Sequence, residues 1–445
     1  MYDSPEYKRT RWSYIAECTF EYFVALMVSD SILSLLLGNL GMSDSSIGIV
    51  SSLVSLAFLF QLLTVPVVRR ITNTKVFGII FHTVGQFAFA ALFLVPLLPV
   101  GGRVGRVTAV ALIVVAYFGN YFVNAIIFRW GTSFVEPSRR GKYGAVRDMT
   151  SLISGVGIQI AAGIAIDRYT EAGNVRAAFI FCAVSCCVFS AADLCSLLLM
   201  EKEREREKTT VDGPAQTAGR ATFADIMRNT LGKKEYRSTV ILESLWRGAM
   251  YSAAGFVGTF KLNELAMTVT AIEIVNIAAQ MARMALSLPF GRLSDRTSYS
   301  KSASVGFAVA AAGFLALAFT TPDTRFMVVV FTVCYNVSMA GTHSNFLYMT
   351  YSYTDPRFIT EALAIKKGLS GIAGFLMSLL AGRILSVVQE NGNRLFGISV
   401  YGQQVLGVLA FLMTVACIAY NSLVIGRQRD LERPEDGKGG AKDSD

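Results

Sequence analysis

The chain has 445 residues, 53% of them hydrophobic and 16% charged, with mean hydropathy +0.47 and formal net charge +9. That is too apolar for a soluble domain and too long for one core, and in so apolar a chain the positive charge points to a membrane and not to nucleic acid. The seven cysteines (Cys18, Cys182, Cys186, Cys187, Cys195, Cys334, Cys417) all fall within apolar stretches. They read as small buried side chains, with no disulfide framework, zinc site or cofactor implied.

About 20 apolar residues cross a bilayer as a helix. Twelve such spans can be laid down in order: 13–37, 46–68, 76–99, 107–128, 148–167, 177–200, 239–260, 268–290, 302–320, 326–348, 367–388 and 402–425. No short apolar stretch with a small-residue cleavage site opens the chain, so the first span reads as a retained anchor. An even number puts both termini on one side. The terminal segments and alternate loops hold about three quarters of the 41 Lys and Arg, which predicts cytoplasmic termini and an inner-membrane location.

The longest polar interval, 201–237, opens with a mixed-charge run, Glu201 to Lys208, that extends a helix into water. A Gly/Pro-containing linker follows. Phe223, Ile226, Met227, Thr230 and Leu231 then sit at the spacing of a short helix lying on the membrane surface. The interval divides the chain into bundles at 1–200 and 238–426, with a polar tail at 427–445 expected to be disordered. The halves match each other in one register: Glu136-Pro137 with Asp355-Pro356, Arg147 with Lys366, Gly155 with Gly374, Gly163 with Gly382 and Asn174 with Asn393. At a nearby offset Glu17 meets Glu243 and Glu21 meets Arg247. The expected architecture is all-α and polytopic, twelve helices in two pseudo-symmetric six-helix bundles, as in many secondary transporters.

Charged residues at membrane depth carry the functional signal, because burying one costs at least a few kcal/mol. Span eight holds Glu273, Asn276, Gln280 and Arg283 within roughly 80° of helix face, so this stripe must line something polar. Span one holds Glu17, Glu21 and Asp30; span seven holds Glu243 and Arg247, an i, i+4 pair. These five acids outnumber the two bases, so one or more is expected to bind a cation or a proton, Asp30 first and Glu273 next. Glu17 and Glu21 repel, and a base such as Arg129 is needed near them. Each has a plainer reading: Glu17 snorkelling to the edge, Glu243–Arg247 as a structural pair, His82 as structural. Asn120, Asn124, Asn336 and His343 are either cavity groups or hydrogen bonds between helices. Tyr22, Phe23, Trp246 and Tyr251 either stack on a flat solute or pack.

Two loops complete the pattern. Gly291-Arg292-Leu293-Ser294-Asp295-Arg296 with Lys301 reads as a joint after span eight. After span four come Trp130, Pro137, Arg139-Arg140-Gly141-Lys142-Tyr143 and Arg147. With twelve spans and a long central interval, these loops make the chain resemble the major facilitator superfamily of secondary transporters. The resemblance implies that spans one, four, seven and ten line a central cavity and that Gly291, Asp295, Arg296, Lys301 and Arg147 belong to gating loops. The first copy of the loop motif, Val67 to Lys75, lacks the glycine and the acid. In the family that acid meets the start of helix eleven, so here Arg69 or Arg70 would meet Glu361, and Asp295 would approach Arg147. The proline of the family's antiporter motif is absent around Gly155, Gly157 and Gly163.

The favoured function is alternating-access symport of a small organic solute with a proton or sodium ion by a monomer in a lipid bilayer. Proton-driven efflux of amphipathic compounds is the alternative. A polytopic enzyme is disfavoured because the only histidines, His82 and His343, lie in separate spans without a partner motif. No Gly-Lys-Ser/Thr phosphate loop is present, and no soluble domain suggests a sensor.

Overall fold

A computed structural model of the chain describes residues 5–28, 30–60, 73–99, 101–136, 139–201, 228, 230–355, 358–395 and 397–428. Arg69, Arg70 and most of the first loop copy, Pro137, residues 202–227 with most of the expected surface helix, and the tail from 429 lie outside the described residues. Among the described residues, nine helices are long and apolar enough to cross a membrane, and a tenth is reached if one bent pair counts as a single span.

The bent pair is α1 (Pro5–Met27) and α2 (Asp30–Asn39), turned by 48° where Asp30 takes φ 37°. Asp tolerates this left-handed region better than most residues, and the bend aims its carboxylate across the molecule. Helix α3 (Asp44–Ser51) continues span two, which is helical as far as Phe60. Then come α4 (Thr74–Leu92), α5 (Gly102–Ser133), α6 (Arg140–Glu171) and α7 (Val175–Leu199). The second half has α8 (Lys234–Tyr251), α9 (Val269–Arg296), α10 (Tyr299–Ala318), α11 (Phe326–Tyr353), α12 (Ile359–Glu390) and α13 (Gly402–Leu423).

Span seven is not the single helix expected over 239–260. It breaks after Tyr251, passes through a 3-10 turn at Ala254–Phe256, and ends in a π-helix at Phe260–Glu264. The break lies against α3: a Cβ on Gly255 would stand 2.7 Å from the Gly48 carbonyl oxygen. The expected joint at Gly291–Arg296 is also corrected, since α9 runs helically through it and past Pro289. Proline's φ suits a helix, and the backbone near it is supported from outside by Ser302, which donates to Phe290 O at 3.1 Å. The true turn is Thr297 and Ser298, where Ser298 caps α10 by accepting from the Lys301 N–H.

Each half packs its own core, and glycines let helices meet in equivalent places. Gly85 and Gly119 bring α4 against α5, as Gly306 and Gly341 bring α10 against α11. The repeat seen in the sequence recurs in three dimensions: Gly155 of α6 faces Tyr22 of α1, and its counterpart Gly374 of α12 faces Tyr251 of α8. Gly163 likewise meets Thr270 at the start of α9, while Gly382 meets Ile49 and Ser45 of α3. Small residues are what lets backbones approach this closely in a membrane, where water provides no force between helices.

A Cβ on Gly119 would stand 2.5 Å from the Phe81 carbonyl oxygen. Gly119→Leu should therefore prise α4 from α5 and cost about 1–3 kcal/mol, read as a lower melting temperature of the purified protein.

Candidate functional site

Two sets of groups lie between the halves, one forming a cavity and one sealing it. The cavity, about 850 Å³, lies at membrane depth towards the side of the termini. The first half contributes Glu17, Glu21 and Tyr22 of α1, His82 of α4, Asn124 of α5 and Arg147 with Asp148 of α6; the second contributes Gln280 and Arg283 of α9 and Asn336 of α11. The two walls meet where Tyr22 OH donates to Gln280 Oε1 at 2.9 Å.

The seal lies on the far side and is made by carboxylates. Asp30 pairs with Lys261 Nζ at 2.8 Å. Glu273 accepts from Ser31 Oγ at 3.0 Å, Gln159 Nε2 at 3.2 Å and Asn276 Nδ2 at 3.4 Å. The N–H groups of Val269 and Thr270, the first turn of α9, donate to the two oxygens of Asp167, both at 2.8 Å. Asp44 accepts from Asn263 at 3.1 Å and Gln389 at 2.9 Å, and Ser45 donates to Gly382 O at 2.7 Å. Asp44 and Asp167 sit near the far ends of their helices and Asp30 at the bend between α1 and α2, and every one of the four acids binds a group from the other half. Asp167 also faces the positive end of α9, so its bonds are doubly favoured. Among the described residues, the polar bonds between the halves are thus concentrated on the far side.

Solved structures show the same architecture. The nucleoside transporter NupG superposes with TM-score 0.67 at 13% identity, covering 94% of this chain and 100% of that one. An auto-inhibited POT family peptide transporter gives 0.69 at 12% (96% and 99% covered), and a D-xylose–proton symporter 0.64 at 14% (91% and 96%). This is the major facilitator superfamily fold. At such identities the likeness is one of fold, and no protein-family profile or curated protein matches the sequence.

Within the major facilitator fold the sequence-derived residues divide. The α9 stripe faces inwards as expected, with Glu273 in the seal and Gln280 and Arg283 on the cavity wall. Among the described residues Arg283 has no carboxylate partner; Tyr22 and Tyr335 are in its field. Asp30 is an ion-pair partner in the seal. Glu243 is buried and more closely paired to Lys366 Nζ (3.0 Å) than to Arg247 (3.8 Å). Arg247 instead lies 4.9 Å from the Phe58 ring centre, in the field of Tyr251 and Tyr335. His343 stands in the field of Arg283, Lys367 and Arg247. Asn124 and Asn336 line the cavity, whereas Asn120 joins helices, accepting from Gln86 at 3.0 Å.

Other expectations are corrected. Glu17 does not snorkel to the edge; it is buried, 3.8 Å from His82 Nε2, and His82 and Arg147 lie in the field of Glu21. Arg147 does not meet Asp295. It binds Asp148 at 2.8 Å and Tyr14 OH at 3.2 Å, both within its own half. Gly291, Asp295, Arg296 and Lys301 are exposed there, and a Cβ on Gly291 would meet nothing within 4 Å.

Sequence reasoning passed over five residues. Lys261 and Lys366 each fell one position outside an expected span, and Lys367 stood on a boundary. Asp167 ended span five with no visible partner. Asp193, inside span six, had a clear signal as an acid in an apolar run.

Removing Lys366 leaves Glu243 buried beside a distant Arg247. Lys366→Met should cost about 3–5 kcal/mol, and adding Glu243→Gln should restore most of it, read from the melting temperatures of both variants. Asp167→Ala removes two charge-assisted bonds from the seal. It should favour opening of the far side, lengthening the distance between spin labels at positions 43 and 390 in a background without native cysteines.

Proposed function

We propose that the protein is a secondary active transporter, coupled to a proton or sodium ion, that imports a small polar organic solute carrying an anionic group. The observation that carries this reading is Arg283, a guanidinium on the wall of a cavity among the spans that has no carboxylate partner among the described residues. An unpaired charge is costly there and is retained where a ligand completes it. Lys367, Arg247 and His343 add to the basic character of the second half, while Glu21 and Asp148 face them from the first. A solute with a carboxylate or phosphate would seat that group against Arg283, and an amino group on the same solute would be drawn to the acidic wall.

The seal supports alternating access. Among the described residues its bonds gather on one side, so releasing them would let the halves rock about the central cavity and exchange one opening for the other. The fold is shared with proteins described as a nucleoside transporter, a peptide transporter and a xylose–proton symporter, which supports a solute carrier and not an enzyme. On this reading the two six-span units are 1–200 and 238–426, the termini are cytoplasmic, and a monomer in the inner membrane suffices.

The test is accumulation in proteoliposomes of a panel of organic anions, zwitterions and neutral sugars under an imposed pH or sodium gradient. At least one anionic or zwitterionic solute should accumulate, and Arg283→Gln should weaken its apparent affinity about tenfold or more. Failure of every solute under both gradients, or full activity in Arg283→Gln, would overturn the reading.

A further inference from the structure

Glu17, His82 and Asp193 come from three helices, α1, α4 and α7, and converge beside the cavity. His82 Nε2 lies 3.0 Å from Asp193 Oδ2 and 3.8 Å from Glu17 Oε1, and one donor atom from each residue fits within 4.8 Å of the others. All three side chains are at most 2% exposed. Glu17 and His82 also line the cavity, which gives the cluster a route to water.

We propose that Glu17, His82 and Asp193 form a binding site for one divalent transition-metal ion, entered from the central cavity. The proposal does not depend on what solute the protein carries. Three observations support it. First, among the described residues His82 Nε2 and both oxygens of Asp193 are buried without a well-aligned hydrogen bond, although Nε2 and Oδ2 lie only 3.0 Å apart, so these atoms have capacity left for a ligand.

Second, the donor separations suit a small cation. Zinc binds imidazole nitrogen at about 2.0–2.1 Å and carboxylate oxygen at about 2.0–2.2 Å, which places tetrahedral neighbours about 3.4 Å apart. The 3.0 and 3.8 Å separations bracket that value. With one imidazole and two carboxylates from the protein, water from the cavity would fill the remaining positions of the shell. An imidazole nitrogen among carboxylate oxygens suits zinc or cobalt better than magnesium or calcium.

Third, the cluster holds more acid than base. Among the described residues Glu17, Glu21 and Asp193 share a single imidazole, with Arg147 also in the field of Glu21. A divalent ion placed between them offsets two of the three negative charges, where burial makes uncompensated charge most costly. No sequence spacing announces the site, because its ligands are contributed one per helix.

The experiment uses the full chain, purified without a histidine tag, stripped with EDTA and titrated with cobalt(II). One equivalent should bind with visible d–d absorption, zinc should displace it, and magnesium should not. His82→Gln and Asp193→Asn should each abolish the absorption, while His343→Gln, which removes the only other histidine, should leave it unchanged. X-ray absorption on the wild-type cobalt complex guards against misfolded variants and should show one imidazole among oxygen ligands. The absence of saturable binding, an all-oxygen shell, or binding that survives His82→Gln and vanishes with His343→Gln would overturn the proposal.

Discussion

A carboxylate held between helices at membrane depth must find donors on other helices, because the hydrocarbon offers none. In this protein that requirement shapes the join between the halves. Asp30, Asp44, Asp167 and Glu273 each take their donors from the opposite half, and together they hold the far side shut. Hydrophobic attraction between helices is weak in lipid, so these polar bonds, with glycine-mediated close packing, set which side is closed. They are also reversible. Asp30, Asp44 and Asp167 are partly exposed and can be rehydrated once the halves part, whereas Glu273 is buried.

The two walls of the cavity differ in sign although the halves descend from one pattern. Glu17 and Glu243 occupy matching positions, yet the first faces a histidine and a second acid, and the other a buried lysine. Arg147 and Lys366 also match, but Lys366 turns inwards to Glu243 while Arg147 binds its own neighbour Asp148. The first half therefore keeps an excess of carboxylate and the second an excess of base. A cavity with opposite charges on facing walls orients any polar solute that enters it.

Much of this was legible in the chain. The spacing of Glu273, Gln280 and Arg283 set them on one face, which the structure turns inwards. What escaped did so for physical reasons. Hydropathy places a span edge only to within a few residues, and Lys261 and Lys366 lay one residue beyond such edges. The partners of Asp167 are backbone N–H groups of a distant helix, which no residue type advertises. The helix through Gly291–Arg296 ran counter to its glycine and nearby proline because tertiary support outweighed propensity.

Lys261 sits on a π-helix, Phe260–Glu264, at the end of a broken span. A π turn carries one residue more than an α turn, and each residue of an α-helix advances about 100° around the axis. Tightening that single turn would swing the ammonium group away from Asp30 while leaving α8 intact. The latch on this side can thus let go by winding, with no helix having to melt.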